Sequence, residues 1–314
     1  MVSTERLVSI LIPVYNRADI IADTLSSALA QTYEHVEVIV VDNASTDDTW
    51  AVICDYADTD SRIRPFRNAS NLGPVRNWLR CVEEAKGTFA KILWSDDLIA
   101  PEFLAKTLPY FDDPEVGFVY TATKIFTRQP GEGVLSYVNG ASGVYDSERY
   151  IQGDFKGKGY PLSPGCAIFY LKDVKKNLML HVPNAVKSDF SMHAIGNDLL
   201  LFLLTAHQYK KFAHVSETLS YFRAHSGSIS LASTDGKLPL HYNLARGYFA
   251  ETYRPDLMGL LNANIFFDLK KYPGAKNYGL SSVSDFYVSC KQSGVNIVSL
   301  LTVFARKVVV RFIR

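Results

Sequence analysis

The stretch Ile92-Leu93-Trp94-Ser95-Asp96-Asp97 is an apolar run that ends in two adjacent acids. The run predicts a buried strand from Phe89 to Trp94, and the acids then lie at its carboxyl end, where open α/β sheets bind their ligands. Two carboxylates there can hold a hard divalent cation, which in turn can hold a diphosphate. An isolated Asp-Asp pair more often begins a loop and caps the next helix, so the rest of the chain decides between the two interpretations.

Strands and helices are predicted to alternate around this stretch. The predicted strands are Leu7–Ile12, Val36–Val41, Ile63–Arg67, Phe89–Trp94 and Val116–Thr123, and the predicted helices are Asp19–Gln31, Ser45–Tyr56, Pro74–Ala85 and Pro101–Tyr110. This order implies a mostly parallel sheet with helices on both faces. Long loops and irregular hairpins are expected from Gln129 to Gly165, and a further helix is expected from about Asp198 to His207.

The composition is that of an ordinary globular protein and excludes several classes. Of the 314 residues, 47% are hydrophobic and 21% are charged, which argues against wholesale disorder. The 33 basic and 32 acidic residues nearly cancel, so we expect no nucleic-acid partner. The four cysteines have no paired short spacing, so neither a zinc site nor a disulfide framework is expected, and a reducing cytoplasm fits best. We expect no secretory leader and no membrane span.

Polar residues also follow the first two predicted strands, in Pro13-Val14-Tyr15-Asn16 and in Asp42-Asn43. The ring of Tyr15 could pack against a nucleobase, and the carboxylate of Asp42 could accept hydrogen bonds from a base N–H or from ribose hydroxyls. Each residue also has a purely structural interpretation, Tyr15 as an aromatic at the edge of the core and Asp42 as a turn or cap residue. Polar ends on three successive strands together favour a nucleotide site.

An ordered series of segments resembles the family-2 glycosyltransferases of the GT-A fold. The segments are Ser9–Asn16, Gln31–Tyr33, Val40–Asp47, Asn71–Gly73 followed by Arg76-Asn77, and Ser95–Asp97. The resemblance implies an α/β fold that is GT-A-like, or Rossmann-like: a mostly parallel central sheet flanked by helices, with a helical C-terminal extension. We expect residues 1–230 to form the nucleotide-sugar-binding and catalytic domain and residues 231–314 to form a helical C-terminal region.

The resemblance also implies roles for these residues. Pro13, Tyr15, Asn16 and Asp42 would surround the nucleoside of a nucleotide-sugar donor, with Arg76 near the same site. Asp96 would face the ribose, and Asp97 would ligate Mn²⁺ or Mg²⁺. Many relatives carry a further Asp where this chain has Trp94, so we expect one direct protein ligand at this turn and other ligands from elsewhere.

Two later segments supply further candidates. Gly196-Asn197-Asp198-Leu199-Leu200 resembles the acidic pair of the family at the start of a helix, in which the second acid is the general base, here Asp198. The dipole of that helix would favour the anionic form of Asp198, although the residue could simply cap the helix. The segment from Tyr221 to Ser230 resembles the Tyr-Arg-x-His-x-x-Ser-x-Ser pattern of the family, so His225 would complete the metal shell and Arg223 or Ser228 would contact phosphate oxygens.

The expected reaction is inverting, metal-dependent transfer of a sugar from a UDP or dTDP sugar to an acceptor hydroxyl. A glycan or lipid-linked glycan acceptor in cell-surface polysaccharide assembly is expected. Loop residues Tyr160, Pro164 and Gly165 would shape the sugar and acceptor pockets. Two alternatives stay open: a nucleotidyltransferase, although Pro13–Arg17 is not a glycine-rich phosphate loop, and a non-catalytic nucleotide-sugar or glycan-binding protein.

The carboxyl-terminal segment, residues 295–314, combines apolar residues with Arg306, Lys307, Arg311 and Arg314 and contains no acid. Such a segment suits a peripheral helix at an anionic membrane surface, here the inner face of the cytoplasmic membrane. It equally suits a terminal helix docked on the core or on a partner.

Overall fold

The computed structural model describes residues 6–225, 235–289, 294–295 and 297–313, with side chains as far as Arg306. The strands are β1 (Val8–Val14), β2 (Val36–Asp42), β3 (Ile63–Arg67), β4 (Phe89–Ile92), β5 (Leu98–Ile99), β6 (Val116–Phe126), β7 (Gly133–Ser136), β8 (Gly143–Asp146), β9 (Ala167–Tyr170) and β10 (Lys211–Arg223). The helices are α1 (Ile21–Leu29), α2 (Thr49–Thr59), α3 (Pro74–Glu84), α4 (Phe103–Thr107), α5 (Ser147–Phe155), α6 (Leu171–Asn177), α7 (Phe190–His193), α8 (Asn197–Gln208), α9 (Lys237–Tyr253), α10 (Met258–Lys271) and α11 (Ile297–Ile313).

The strands form one sheet in the order β3-β2-β1-β4-β9-β6-β10-β5, with β7 beside β6 and β8 beside β10. The neighbours β3, β2, β1 and β4 are parallel, and β6 and β10 are parallel to each other. Strand β9 is antiparallel to both of its neighbours, so β6 and β10 run in the same direction as β4. The expected α/β fold with a mostly parallel central sheet flanked by helices is therefore confirmed.

The central strands are mostly apolar because both of their faces are covered. Every residue of β1 and β2 is buried, which is typical of parallel strands between two layers of helices. Ile10 and Val38 belong to the hydrophobic cluster that also holds Leu25 of α1 and Ile53 of α2. The alternate residues, such as Leu11 and Ile39, belong to a second cluster that extends over α3, α6, α8, α9 and α10. The carboxyl-terminal helices α9 and α10 thus share a core with the sheet, and the division at residue 230 stays a prediction.

Two expectations about local structure were wrong. Strand β4 ends at Ile92 instead of Trp94, because only Leu93 continues toward β1, with its N–H donating to the Leu11 carbonyl at 2.9 Å. The stretch from Gln129 to Gly165 contains β7, which forms an antiparallel hairpin with β6, and β8, but it also contains helix α5, which was not expected there. Helix α5 begins where the carboxylate of Asp146 accepts a hydrogen bond from the Glu148 N–H.

Within the part of the chain that the structure describes, no helix has both the length and the apolar character needed to cross a bilayer.

Candidate active site

The carboxyl ends of the parallel strands meet at one edge of the sheet. The strand register places Val14 beside Asp42, and Asp42 beside Arg67 of β3. Beyond β4 the chain forms the turn Trp94–Asp97, called here the acidic turn, in which the Asp97 N–H donates to the Trp94 carbonyl at 3.0 Å. The acids at 42, 96 and 97 therefore follow two strands that end at the same edge, as the sequence predicts.

Helix α1 and the end of β10 hold the acidic turn through its backbone. The Thr24 hydroxyl donates to the Asp97 carbonyl at 3.0 Å, and Nε of Arg223 donates to the Asp96 carbonyl at 3.1 Å. Nη2 of Arg223 also pairs with Asp23 of α1 at 2.8 Å. Arg223 thus links the acidic turn to α1. Both Arg223 and Asp23 line a cavity of about 530 Å³. Its expected contact with the donor stays a prediction, and Ser228 lies outside the described residues.

The two carboxylates of the turn have different surroundings. Asp97 is 5% exposed, and its Oδ1 accepts the backbone N–H of Arg223 at 2.9 Å. Oδ2 of Asp96 instead lies 2.8 Å from Nε2 of His225. Burial and the neighbouring charge of Asp96 raise the pKa of Asp97 well above its usual range. The structure therefore joins His225 to Asp96, whereas the sequence analysis paired His225 with Asp97.

The residues of this turn suit a cation held jointly with a bound diphosphate. In the described ranges, no three His, Cys, Asp or Glu side chains converge as a metal cage. Mg²⁺ does not need such a cage, since it is usually bound by one or two carboxylates together with substrate phosphates. A nearby cation favours the ionised form of two adjacent carboxylates, one of which is buried here. Imidazole is a further suitable ligand for Mn²⁺. Asp97 and His225 stay the predicted ligands.

A buried lysine, which the sequence analysis missed, lies beneath the acidic turn. Lys91 of β4 is fully buried, and its Nζ donates to the carbonyl of Gly165 and lies 4.5 Å from the ring centroid of Phe103. Burial lowers the pKa of Lys91 to about 7, and the charge of Asp97 opposes that shift. The only signal in the sequence was a lysine inside the otherwise apolar strand Phe-Ala-Lys-Ile.

At the carboxyl ends of β1 and β2, where the nucleoside is predicted to bind, Asp42 is fully buried. Its carboxylate pairs with Nε of Arg67 at 3.0 Å and accepts the backbone N–H of Ser45 at 3.1 Å. Asn16 has a φ of 51°, and its side-chain oxygen accepts the N–H of Thr46 at 2.9 Å, which ties the loop after β1 to the loop after β2. Pro13 is buried within β1, whereas Tyr15 is 40% exposed and available to a flat ligand. Arg67 was not among the predicted site residues.

Arg76 connects this half of the site to the segment that precedes α8. Its Nη1 donates to the hydroxyl of Ser191 in α7 at 3.0 Å. The turn before α3 is fixed by buried amides: Asn68 donates to Asn43 at 3.0 Å and to Asn77 at 2.9 Å. These hydrogen bonds fix the start of α3, and therefore the backbone of Arg76, which precedes Asn77.

Asp198 lies in the first turn of α8, with its carboxylate held at both oxygens. Oδ1 accepts the backbone N–H groups of Gly196 and Leu199, both at 2.9 Å, and Oδ2 accepts the hydroxyl of Tyr242 in α9 at 2.7 Å. Burial raises the pKa of Asp198 to about 6, and these hydrogen bonds oppose the shift. Burial thus outweighs the helix-dipole effect expected from the sequence. A carboxylate with this pKa is ionised at neutral pH and is still a competent proton acceptor.

A wall of aromatic rings leads from the acidic turn toward Asp198. Nε1 of Trp94 donates to the Ser163 hydroxyl at 2.8 Å, and the Trp94 ring lies 4.6 Å from that of Trp78. A Cβ atom on Gly165 would lie 3.0 Å from both Trp94 and Phe222, so a larger residue there would press against both rings. The ring of Phe222 packs edge-on against that of Tyr137, with the ring centroids 6.3 Å apart. Burial raises the pKa of Tyr137, and the charge of Asp198 adds to that shift.

The loop that precedes β9 contributes only partly as predicted. Pro164 is buried beside Gly165. Tyr160 is 5% exposed and accepts a hydrogen bond from Nε of Arg149 at 3.0 Å, so it belongs to the core instead of a substrate pocket. The reason is Gly153 of α5, which leaves room for the Tyr160 ring to pack directly on that helix.

This sheet edge, with its acids, basic residues and aromatic wall, defines a GT-A type of nucleotide-dependent fold, and comparison with known proteins agrees. The model of the family "Glycosyl transferase family 2" matches residues 9–178, which is more than half of the chain. The chain belongs to glycosyl transferase family 2 and is a glycosyltransferase.

Several curated relatives are similar over different lengths. The UDP-Glc:alpha-D-GlcNAc-diphosphoundecaprenol beta-1,3-glucosyltransferase WfaP of Escherichia coli is 28% identical over 229 residues, covering 71% of this chain and 80% of WfaP. The putative teichuronic acid biosynthesis glycosyltransferase TuaG of Bacillus subtilis is 32% identical over 128 residues, covering 41% of this chain and about half of its own length, 51%. Among solved structures, S. aureus TarS 1-349 in complex with UDP-GlcNAc has a TM-score of 0.64 at 18% identity, covering 87% of this chain and 75% of that one, which supports the fold.

Proposed function

We propose that this chain is an inverting, metal-dependent glycosyltransferase that moves a sugar from a UDP-type or dTDP-type donor to a hydroxyl of a lipid-linked glycan during polysaccharide synthesis. The observation that carries the proposal is the Asp198 carboxylate, which Tyr242 and two backbone N–H groups orient and whose pKa is raised to about 6. The name of WfaP, a relative similar over most of this chain, gives UDP-Glc as its donor and a diphosphoundecaprenol-linked sugar as its acceptor.

The donor would lie along the sheet edge, with its base at the carboxyl ends of β1 and β2. The exposed ring of Tyr15 provides a stacking surface. The buried carboxylate of Asp42 would act on the base indirectly, by holding Arg67 and the backbone N–H of Ser45 in place. Asp96 would accept from the ribose hydroxyls, and Arg76 would approach the same ligand from α3. These contacts bind and orient the donor but do not take part in the chemistry.

The transfer is a single displacement at the anomeric carbon. The acceptor oxygen forms a bond to that carbon as the bond to the diphosphate oxygen breaks, and the nucleoside diphosphate leaves with the bonding electrons. Asp198 takes the hydroxyl proton, which is a general-base contribution of about 10²–10⁴ in rate. Because the attack and the departure occur on opposite faces, the configuration of the anomeric carbon inverts.

Asp97 and His225, with Asp96 beside them, would hold the cation, and a bound Mn²⁺ or Mg²⁺ neutralises charge that develops on the leaving diphosphate. The bonds from Arg223 and Thr24 keep the turn in place for this role. A cytoplasmic site of action is part of the proposal, since the described cysteines Cys54, Cys81 and Cys166 are free thiols.

The test incubates the purified chain with a panel of UDP and dTDP sugars, a lipid-diphosphate-linked sugar acceptor, and either Mn²⁺ or EDTA. We expect metal-dependent transfer with one donor, a product of inverted anomeric configuration by NMR, and release of a nucleoside diphosphate. Asp198→Asn should lower the transfer rate about 10²–10⁴-fold and still bind the nucleotide. Asp55 is an exposed acid of α2, so Asp55→Asn should behave as the wild type.

Each alternative has its own outcome in this assay. Release of pyrophosphate would indicate a nucleotidyltransferase, and tight donor binding with no transfer or hydrolysis would indicate a binding protein. Near-normal turnover of Asp198→Asn would overturn the assignment of the base.

A further inference from the structure

Helix α11 presents an apolar face to solvent. Along this face Ile297, Val298, Leu301 and Phe304 are 74%, 75%, 62% and 55% exposed. A helix docked on a globular protein normally turns its apolar stripe inward and its polar side to water. The polarity of α11 is the reverse of that arrangement.

The opposite side of α11 is already anchored to the protein. Val303 is fully buried, and Nη2 of Arg306 donates to the side-chain oxygen of Asn264 in α10 at 2.7 Å. Nη1 of Arg306 donates to the carbonyl of Lys156 after α5. The Phe304 ring also stacks on that of Phe267 at 6.4 Å. Among the residues that the structure describes, packing within the chain leaves the rest of this apolar face exposed.

The charges that this helical segment itself carries are positive, while Asp268 of α10 lies near Arg306. Residues 295–314 contain four basic residues, at positions 306, 307, 311 and 314, and no acid. The loop that accepts the hydrogen bond from Arg306 carries Lys156 and Lys158, and both are exposed. An apolar face in a basic surrounding complements an anionic lipid surface, where apolar side chains enter the acyl boundary and the cations contact the headgroups.

We propose that α11 seats this chain on an anionic phospholipid bilayer by lying in the plane of the interface. Its 17 residues span about 25 Å at the α-helical rise, long enough to place Ile297, Leu301 and Phe304 side by side on the membrane. The proposal goes beyond the proposed function, because binding to vesicles requires neither donor, metal nor transfer. Helix α11 contacts α10 through Arg306, and α10 shares a hydrophobic cluster with α9, the helix whose Tyr242 contacts Asp198.

The test is co-sedimentation of the full chain with phosphatidylcholine vesicles that contain or lack phosphatidylglycerol. We expect the wild type to pellet with the anionic vesicles, and to be released from them by 0.5 M NaCl or by omission of phosphatidylglycerol. The double variant Ile297→Gln/Leu301→Gln should lower the partition coefficient about tenfold or more, because it removes two exposed apolar side chains from the face. Thr302→Gln, on the same helix outside the apolar face, is the matched control and should pellet like the wild type.

The outcomes separate membrane binding from its alternatives. Circular dichroism melting and nucleotide binding establish that the double variant is folded; both should match the wild type. A wild type that stays in the supernatant at every lipid composition overturns the proposal, as does equal pelleting of the double variant. If light scattering without vesicles shows a dimer that Ile297→Gln/Leu301→Gln dissociates, and vesicles are not bound, a second copy of the chain covers the face and the proposal is wrong.

Discussion

The hydroxyl of Tyr242 in α9 donates a 2.7 Å hydrogen bond to Oδ2 of Asp198, and so a residue of the carboxyl-terminal helices orients the proposed general base. The other oxygen of that carboxylate is held by backbone N–H groups of its own segment. Because this bond is made to the charged form of the acid, it lowers the pKa of Asp198 against the larger effect of burial.

Removing that bond should shift the pH profile. The base acts when ionised, so the transfer rate of the wild type should rise through about pH 6, the pKa of Asp198, and then level off. Tyr242→Phe should move the rising limb to higher pH by about one unit, the equivalent of a hydrogen bond to a charged group. Rates near pH 8 should change little, rates near pH 6 should fall about fivefold, and rates near pH 5 should fall almost tenfold.

The measurement is kcat against pH from 5 to 9. Tyr248→Phe removes a hydroxyl from the same helix α9 and serves as the control, with an unshifted profile expected. A Tyr242→Phe profile that coincides with the wild type would show that Asp198 is not the titrating base.

Substitutions in the acidic turn should reduce the cation dependence of nucleotide binding, and the loss should be greater for Asp97 than for Asp96. Asp97→Asn keeps the size of the buried side chain and removes its charge, so nucleotide binding in Mn²⁺ should weaken at least about tenfold and become insensitive to EDTA. Asp96→Asn should retain part of the Mn²⁺ effect, because its carboxylate already has a partner in His225 at 2.8 Å. Isothermal titration with UDP, with Mn²⁺ or EDTA present, measures both effects.

Asp23→Asn is the control for this comparison, since Asp23 pairs with Arg223 behind the turn. It should keep the difference between Mn²⁺ and EDTA. If Asp97→Asn binds UDP and Mn²⁺ as the wild type does, Asp97 is not a ligand.

Much of this site was predictable because its signals are local. A short apolar run that stops before Asp42, or before Asp96, marks the end of a strand in the local sequence. Parallel strands bring such ends to one edge of the sheet. The same holds for Asp198, which lies two residues after Gly196 in the first turn of an apolar helix.

The missed residues depend on contacts that no local pattern records. Tyr242 reaches Asp198 across 44 positions, and Arg67 reaches Asp42 only because β3 pairs with β2 in one register. The antiparallel insertion of β9 between β4 and β6 was likewise not visible in the βαβ order, since its four residues carry no signal of strand direction. Lys91 was present in the sequence, but its burial comes from the tertiary packing around β4.

Gly196 should be required both for the backbone and for the base. It has a φ of 107°, and a Cβ atom there would lie 2.8 Å from Cβ of Ala245. Gly196→Ala should therefore destabilise the fold by about 1–3 kcal/mol and, by displacing an N–H that binds Asp198, lower kcat as well. Gly131→Ala is the control, because a Cβ atom there meets nothing within 4 Å. Thermal melting and kcat at pH 8 test the pair, and an unchanged melting temperature for Gly196→Ala would contradict the packing described.

Lys91 should give the stability of the fold a measurable pH dependence. Its pKa falls from 10.5 to about 7 on burial, so between those pH values the unfolded chain binds the proton more tightly than the folded chain. Stability from this group is therefore smallest near pH 7 and increases as the pH rises, by up to about 1.4 kcal/mol per pH unit. Lys91→Met removes that slope, so relative to the wild type its free energy of unfolding should fall steadily from pH 7 to pH 9, whatever the offset at pH 7.

Denaturant unfolding at three pH values measures the difference. Lys158 is an exposed lysine, so Lys158→Met serves as the control. A constant difference between Lys91→Met and the wild type would mean that Lys91 keeps its proton in the folded chain, and that the buried ammonium is stabilised by Asp97 and the Gly165 carbonyl more strongly than burial opposes it.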